Sequence, residues 1–331
     1  MRGLVFSDPH IHPYKAFSHV DKMGVNSRLG QILDVVARLV QLALEPDIDF
    51  VLIPGDVFHD KDRVYVRAYA ETIALLGMIQ VPTLFVTGNH DFVSKENGKA
   101  SFSATRIMKE MGSQFYLDEE MTVTKGAESL TFFGIPYMED IEEQCRAIKA
   151  VPRDWAIVTH AEVALATDRQ HLYRTGIPGR LLDEFVFSVV GHIHTPQTLG
   201  SSILVPGSPV HHDFGDAGRQ AYAWVIDSKH GDTVFTPFDV PGPRFYTLTK
   251  EEFKSFGKPG PEQFVRVTGE AEGEEIENVV FLPNLGQSAL SEGRGGVTLS
   301  NSKRELLDKW LCFKGIKKDF DSYLEYGEKL L

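Results

Sequence analysis

Phe50-Val51-Leu52-Ile53-Pro54-Gly55-Asp56-Val57-Phe58-His59 is the stretch on which the fold turns. Four consecutive apolar residues with no polar alternation describe a strand covered on both faces. Pro54 and Gly55 then end the strand and deliver a carboxylate, Asp56, with His59 three residues beyond. The same grammar recurs along the chain. Leu4-Val5-Phe6 is followed by Asp8-Pro9-His10, and Thr83-Leu84-Phe85-Val86 by Gly88-Asn89-His90-Asp91. Trp155 to Val158 leads to His160, and Phe185 to Val190 leads to Gly191-His192-Ile193-His194.

Between these runs lie helical patterns. Leu29, Ile32, Leu33, Val36, Leu39, Val40 and Ala43 recur at helical spacing over 28–44, and Pro46 stops them. A second helix is predicted over about 64–79. Alternating strand and helix signals indicate an α/β fold. Further strands are predicted at Leu130 to Phe133, Ile203 to Val205 and Tyr222 to Ile226, their spacing after 186 suggesting hairpins.

The chain has 331 residues, room for one large domain with a small appendage. No apolar stretch nears the roughly 18 residues of a membrane span. The opening apolar run turns polar at Ser7-Asp8, too short for a signal peptide, so the expected location is cytoplasmic or nucleoid-associated, not secreted. Cys145 and Cys312 are the only cysteines, which excludes a disulfide framework and a Cys-rich zinc site; both read as apolar packers on helices. Lys and Arg number 34 against 46 Asp and Glu, a net charge of −12. Such acidity argues against a broad basic face for nucleic acid.

Pro241-Gly242-Pro243 marks a boundary, giving a core over 1–243. A small capping domain is expected over 244–285, with a helix start at Thr249-Lys250-Glu251-Glu252 and an exposed strand at Phe264 to Val267. Five acidic residues from Glu270 to Glu277 read as a solvated face. A Gly- and Ser-rich linker is expected over 286–301. Residues 302–331 read as a helical hairpin: Ser302-Lys303-Arg304-Glu305 fits a capping box, and Leu306, Leu307, Trp310, Leu311 and Phe313 form one apolar stripe. Phe320, Tyr323 and Leu324 form the second. Those stripes either dock on the chain's own body or bind a partner.

The residues after the strands carry the chemistry. In open α/β sheets, ligands bind beyond the carboxyl ends of the strands, so the five segments can converge. Asp8, His10, Asp56, Asn89, His160, His192 and His194 are nitrogen and oxygen ligands suited to Mn, Fe, Zn or Mg. Seven are too many for one ordinary ion and suit two ions sharing a carboxylate. Glycines before Asp56, Asn89 and His192 permit tight turns and close backbone approach. Two ions about 3.5–4 Å apart activate water and clamp a phosphoryl group. A lone histidine after a strand is usually a hydrogen-bonded core residue; five ordered blocks are not so explained.

These blocks resemble those of the calcineurin-like metallophosphoesterases: Asp-x-His, Gly-Asp, Gly-Asn-His-Asp/Glu, His and Gly-His-x-His, all within residues 8–194. The resemblance implies a β-sandwich flanked by helices. It implies one ion on Asp8, His10, Asp56 and His194, and a second on Asp56, Asn89, His160 and His192. It implies that His90 contacts the scissile phosphate and assists the leaving oxygen, with Asp91 orienting it. Pro9 departs from the bulky residue commoner there.

Gly55-Asp56-Val57-Phe58-His59 differs from the Gly-Asp-x-x-Asp-Arg-Gly run of protein Ser/Thr phosphatases and is similar to DNA double-strand-break repair nucleases of the SbcD type. There a histidine at the His59 position contacts phosphate or supports His90. Val205-Pro206-Gly207-Ser208-Pro209, Phe214-Gly215-Asp216-Ala217-Gly218 and Pro243-Arg244-Phe245 resemble later segments of those nucleases, and the terminal helices resemble an element that grips an SbcC-type ATPase with a long coiled coil. The resemblance implies a Mn-activated nuclease, with 3′-to-5′ exonuclease action on duplex ends and endonuclease action on single strands. It would work in DNA repair, recombination or replication, as a homodimer within that complex.

Two alternatives stand beside it: a phosphodiesterase or phosphatase for a nucleotide or other small molecule, and a non-catalytic adaptor. His12 and His19 read as solvated loop residues, His171 and His230 as surface residues, and His211 and His212 have no role the resemblance requires. Two divalent ions would bring about four positive charges to the phosphate site, so the net charge predicts weak DNA binding by this chain alone and dependence on a partner.

Overall fold

The structure, a computed structural model, describes residues 1–22, 24–61, 63–96, 99–169, 171–229, 232–269 and 276–282. The expected linker and terminal hairpin, with Leu306, Leu307, Trp310, Leu311, Phe313, Phe320, Tyr323 and Leu324, lie outside these residues. So do Cys312, His230 and most of the acidic run. The described residues fall into two compact units, Met1–Tyr246 with Pro259–Phe264, and Thr247–Lys258 with those of 265–282.

Two six-stranded sheets form the first unit. One has the order Asp232–Asp239, Tyr222–Lys229, Arg2–Val5, Phe50–Ile53, Thr83–Phe85, Phe115–Leu117. The other runs Gln197–Leu199, Ile203–Val205, Ser188–Gly191, Ala156–His160, Glu128–Ile135, Glu120–Lys125. Their facing residues make one core: Val5, Phe50, Leu52 and Leu84 pack with Phe132, Val158, Phe187 and Val189. The Phe50 and Phe132 rings meet at 4.7 Å.

Strand alternation sends the other residues outward. Leu4, Val51, Ile53 and Phe85 meet Ile32, Val36, Leu39 and Val40 of the helix Ser27–Ala43. On the far side Ile135, Ile157 and Val190 meet Ile148 of the helix Ile141–Lys149. Covering by helix on one face and sheet on the other is why the central strands read as unbroken apolar runs. The mixed α/β sandwich flanked by helices is thus as expected. Asn26 caps the first helix by accepting from the Leu29 amide at 3.0 Å. The second helix spans Val66–Leu76, shorter than predicted at both ends, where Tyr65 stays extended and Gly77 caps the last turn.

The late hairpins exist at Gln197–Leu199 with Ile203–Val205 and at Tyr222–Lys229 with Asp232–Asp239, although Ser188–Gly191 and Ile203–Val205 run parallel. Thr249 and Glu252 form a reciprocal capping box at the helix Lys250–Phe256. The strand Gln263–Thr268 corrects one expectation. Phe264, Val265 and Val267 are buried, not exposed, because its apolar residues are covered rather than turned to water. Cys145 packs against the outer core of the second sheet. Among the described residues no helix is long and apolar enough to cross a membrane.

Candidate metal centre

Arg2–Val5, Phe50–Ile53 and Thr83–Phe85 are parallel, as are Ala156–His160 and Ser188–Gly191, so each group ends on one side. The loops beyond the first two strands are stitched together. The Asp8 amide donates to the Gly55 carbonyl at 3.1 Å, and the His10 amide to the Asp56 carbonyl at 3.1 Å. The two sheets meet here as well: the His192 amide donates to the Asp8 carboxylate at 3.1 Å and His160 Nδ1 donates to the Pro54 carbonyl at 2.8 Å.

All seven sequence-predicted ligands come together in two clusters. Asp8, His10 and His194 form one, and Asp56, His160 and His192 the other, each with its ligand atoms within 4.8 Å of one another. Asn89 joins the second, its Oδ1 lying 3.0 Å from His160 Nε2 and 2.9 Å from His192 Nδ1. Asp56 Oδ2 lies 3.5 Å from His10 Nε2 and 3.4 Å from His160 Nε2, between the clusters. The glycines act as expected. A Cβ at Gly88 would overlap the Asp56 carboxylate, and Gly55, at φ +107°, has the His160 ring where its Cβ would stand.

Four of the sequence-predicted ligands also adopt left-handed backbone: Asp8 at φ +54°, His10 at +42°, Asp56 at +51° and His192 at +89°. Such conformations cost about 1–3 kcal/mol each and persist only where surroundings impose them.

The donor set fits divalent cations. His10 and His194 bring their Nε2 atoms within 3.0 Å of each other, close enough for both to ligate one cation when each imidazole keeps its proton on Nδ1. His160 presents Nε2 toward Asp56 and Asn89 oxygens because its Nδ1 proton is committed to Pro54, the kind of outer contact that orients a ligating imidazole. Burial opposes charge on His160, but the negative Asp56 beside it and Asp8 raise it to about 9. Burial pushes Asp8 up to about 8 and the nearby Asp56 charge adds to this, so a cation is what would keep it ionised. Burial likewise works against Asp56, yet His160 and the His90 amide hold it down to about 2. His192 falls to about 3 and His194 to about 4, burial being the main cause for each, as neutral ligands require.

Beside the clusters stands His90. Its Nδ1 donates to the His59 carbonyl at 2.5 Å, which turns Nε2 away from that backbone. The His59 ring stacks on it at 5.4 Å and 16°, with His59 Nδ1 3.4 Å from His10 Nδ1. Asp91 does not orient His90, contrary to expectation. Its buried carboxylate accepts from the Phe58 amide and the Gly88 amide, each at 3.1 Å, so it ties two ligand loops together. Burial first, then the Asp56 charge, raises it to about 7.

Several participants were invisible in the sequence. His12 is not a solvated loop residue: its ring packs 5.2 Å from His59 and 5.0 Å from Tyr14. His212 is buried 5.2 Å from the His10 ring and 5.6 Å from His194. Behind them Arg219 Nη1 donates to the His194 carbonyl at 3.0 Å and Nη2 to the Val210 carbonyl at 2.6 Å. Asp216 answers it at 3.3 Å and accepts from Arg169 at 2.9 Å and from the His212 amide at 2.8 Å. Its signal was the block Phe214-Gly215-Asp216-Ala217-Gly218, whose acidic residue gave no hint of a buried arginine partner.

The family profile described as calcineurin-like phosphoesterase matches residues 1–196. This chain belongs to that family. A phosphoesterase of this kind uses divalent metal ions, and the two clusters are where this one would hold them. A protein of Invertebrate iridescent virus 6 named as a phosphoesterase is 23% identical over 238 residues, 67% of this chain and 83% of that protein. DNA double-strand break repair protein Mre11 of Archaeoglobus fulgidus is 24% identical over 206 residues, 55% of this chain and 45% of that protein. The phosphoesterase thus spans a little under half of that archaeal relative. A solved dimetal phosphatase from Danio rerio is 11% identical over 72% of this chain and 95% of that chain, with a TM-score of 0.42.

Proposed function

We propose that this phosphoesterase hydrolyses phosphodiesters of DNA as a two-metal nuclease. The observation that carries the reading is the Asp56 carboxylate, placed between two ligand clusters with His90 beside them. When bound, two divalent ions, with Mn2+ the expected pair, supply positive charge to the phosphoryl oxygens and acidify water. Asp8, His10, Asp56 and His194 would hold one, and Asp56, Asn89, His160 and His192 the other. The chain itself can supply the proton: His90 keeps its Nδ1–H on the His59 carbonyl, so as the imidazolium it would give up the Nε2 proton to the departing oxygen and be left as the neutral Nδ1–H tautomer. The His59 ring stacked on it limits its rotation.

The similarity to Mre11 proteins supports DNA as substrate; exonuclease action on duplex ends and endonuclease action on single strands rest on the SbcD-type resemblance of Gly55-Asp56-Val57-Phe58-His59. The apolar stripes from Leu306 to Leu324 support docking on an SbcC-type coiled-coil ATPase in a dimeric complex. The viral relative, similar over more of the chain, is named only as a phosphoesterase, which keeps a second reading beside the first, a phosphodiesterase for small molecules or nucleotides. An assay with Mn2+ on linear duplex, single strands and simple nucleotides separates the two. His90→Gln should lower kcat by about 10²–10⁴ while metal analysis still finds both ions. Loss of metal with the activity would overturn the His90 assignment, and hydrolysis of nucleotides alone would overturn the nuclease.

A further inference from the structure

Metal ligation leaves one feature beside the centre unused. From His59 a run of rings leads outward: His12 lies 5.2 Å from His59, and Tyr65 lies 5.4 Å from His12 at 82°. Tyr14 flanks both histidines, 5.0 Å from His12 and 5.1 Å from His59. The run ends in the open. Tyr65 is 48% exposed and the adjacent Val66 85% exposed, and the Tyr65 side chain makes no capping bond to the helix it precedes. An edge-on contact at 82° leaves a face of the phenol ring free to stack.

The same side of the molecule holds a cavity of about 470 Å³ bounded by His59, Asp60, Lys61, Arg63 and His90. That volume falls in the range of small-ligand clefts, about 300–1,000 Å³. Among the described residues there, Lys61 and Arg63 stand beside Asp60, which is 3.5 Å from His12 Nδ1; in the sequence the two cations alternate with Asp60 and Asp62. On a chain of net charge −12 this neutral segment brings two cationic side chains next to His90.

An exposed tyrosine beside cations at the mouth of a phosphodiester site matches one class of ligand, a strand of unpaired nucleotides. Every base has a π-face to stack, and every linkage carries a negative charge. Resting on the reading above that this centre cleaves phosphodiesters of a nucleic acid, we propose that Tyr65, backed by the His12 ring, forms a stacking platform for the nucleobase next to the scissile phosphate, with Lys61 and Arg63 holding the neighbouring phosphate. The substrate unit selected here is therefore a nucleotide in a single strand, not a bare phosphate ester.

The test uses the full chain and a single-stranded oligonucleotide carrying 5-iodouracil. Irradiation should yield an adduct that mass spectrometry maps to Tyr65 or His12; adducts confined to other segments overturn the platform. Kinetics supply a second measure. Tyr65→Ala should lower kcat/KM for the oligonucleotide relative to methyl p-nitrophenyl phosphate by about tenfold or more, and Tyr65→Phe should restore the ratio. An equal fall on both substrates, or no fall, overturns the proposal. Removing Lys61 and Arg63 should flatten the dependence of log affinity on log salt by about 0.7 for each charge lost, and an unchanged slope refutes their role. Hydrolysis of the small diester but not the oligonucleotide overturns the platform alone. Hydrolysis of neither overturns the phosphodiesterase reading, and the cross-link, needing no turnover, still decides the platform.

Discussion

Asp8, His10 and His194 on one side, and Asp56, Asn89, His160 and His192 on the other, share a vocabulary of residues but rest on different supports. The second cluster hangs on strand ends: His160 closes the strand Ala156–His160 and donates to the Pro54 carbonyl. Gln144 Nε2 reinforces it, donating to the His160 carbonyl at 2.9 Å and to Thr159 Oγ1 at 3.0 Å. The first cluster leans on a loop. His194 lies past its strand, and its carbonyl is gripped by Arg219, whose charge is balanced by the buried Asp216. Backbone ladders would support one ion, then, and an ion pair at the end of the short 3-10 helix Phe214–Asp216 would support the other. Mutations that touch no ligand should therefore separate the two ions.

Asp56→Ala would erase the distinction altogether. It removes the carboxylate both clusters use, so both ions and all turnover above background should go. Metal analysis after desalting checks this, and a protein retaining one tight ion would show that the carboxylate is not shared. Next is the loop brace. Asp216→Leu leaves Arg219 buried without its partner, at a cost of about 3–5 kcal/mol in the thermal or urea unfolding of the metal-free protein. At low temperature that variant should bind one ion, the one on Asp56, Asn89, His160 and His192. Loss of both, or of neither, would mean the clusters do not stand apart.

The same pair gives a pH signature. Burial opposes the Asp216 charge, but Arg219 and its neighbours hold its pKa below the ordinary carboxylate value. A depressed carboxylate contributes stability above its unfolded pKa, about 3.9, and loses it as pH falls through the folded value. The urea midpoint of the wild type should therefore drop below about pH 4 more steeply than that of Asp216→Asn. Parallel acid limbs would deny the pair this role. The mildest change belongs to the second cluster's brace. Gln144→Leu should cost about 1–3 kcal/mol and weaken only the second ion, measured by calorimetric titration, since the strand still places His160.

Much of this centre is legible in the order of residues alone. Phe50 to Ile53 and Thr83 to Phe85 end abruptly in Gly-Asp and Gly-Asn-His, and a run covered on both faces must empty its chemistry at its end. Whatever is fixed by pairing across the sandwich is not legible in that way. That Phe50 meets Phe132, or that Pro54 receives the His160 proton, depends on how two sheets stack, which no local pattern encodes. His212 and Asp216 were hidden for the same reason: an Asp in a loop looks solvated until a distant Arg169 and a nearby Arg219 are folded onto it. Phe264 to Val267 misled because alternation alone does not say whether something covers the strand.

The left-handed backbone at Asp8, His10, Asp56 and His192 has a consequence for how such a chain ages. A glycine at any of these positions would relax the local conformation while deleting a ligand, so that an inert descendant could fold more readily than its working ancestor. Stability and chemistry pull against each other at those four residues. Under relaxed selection the metal centre should erode first, while the sandwich that carries it endures.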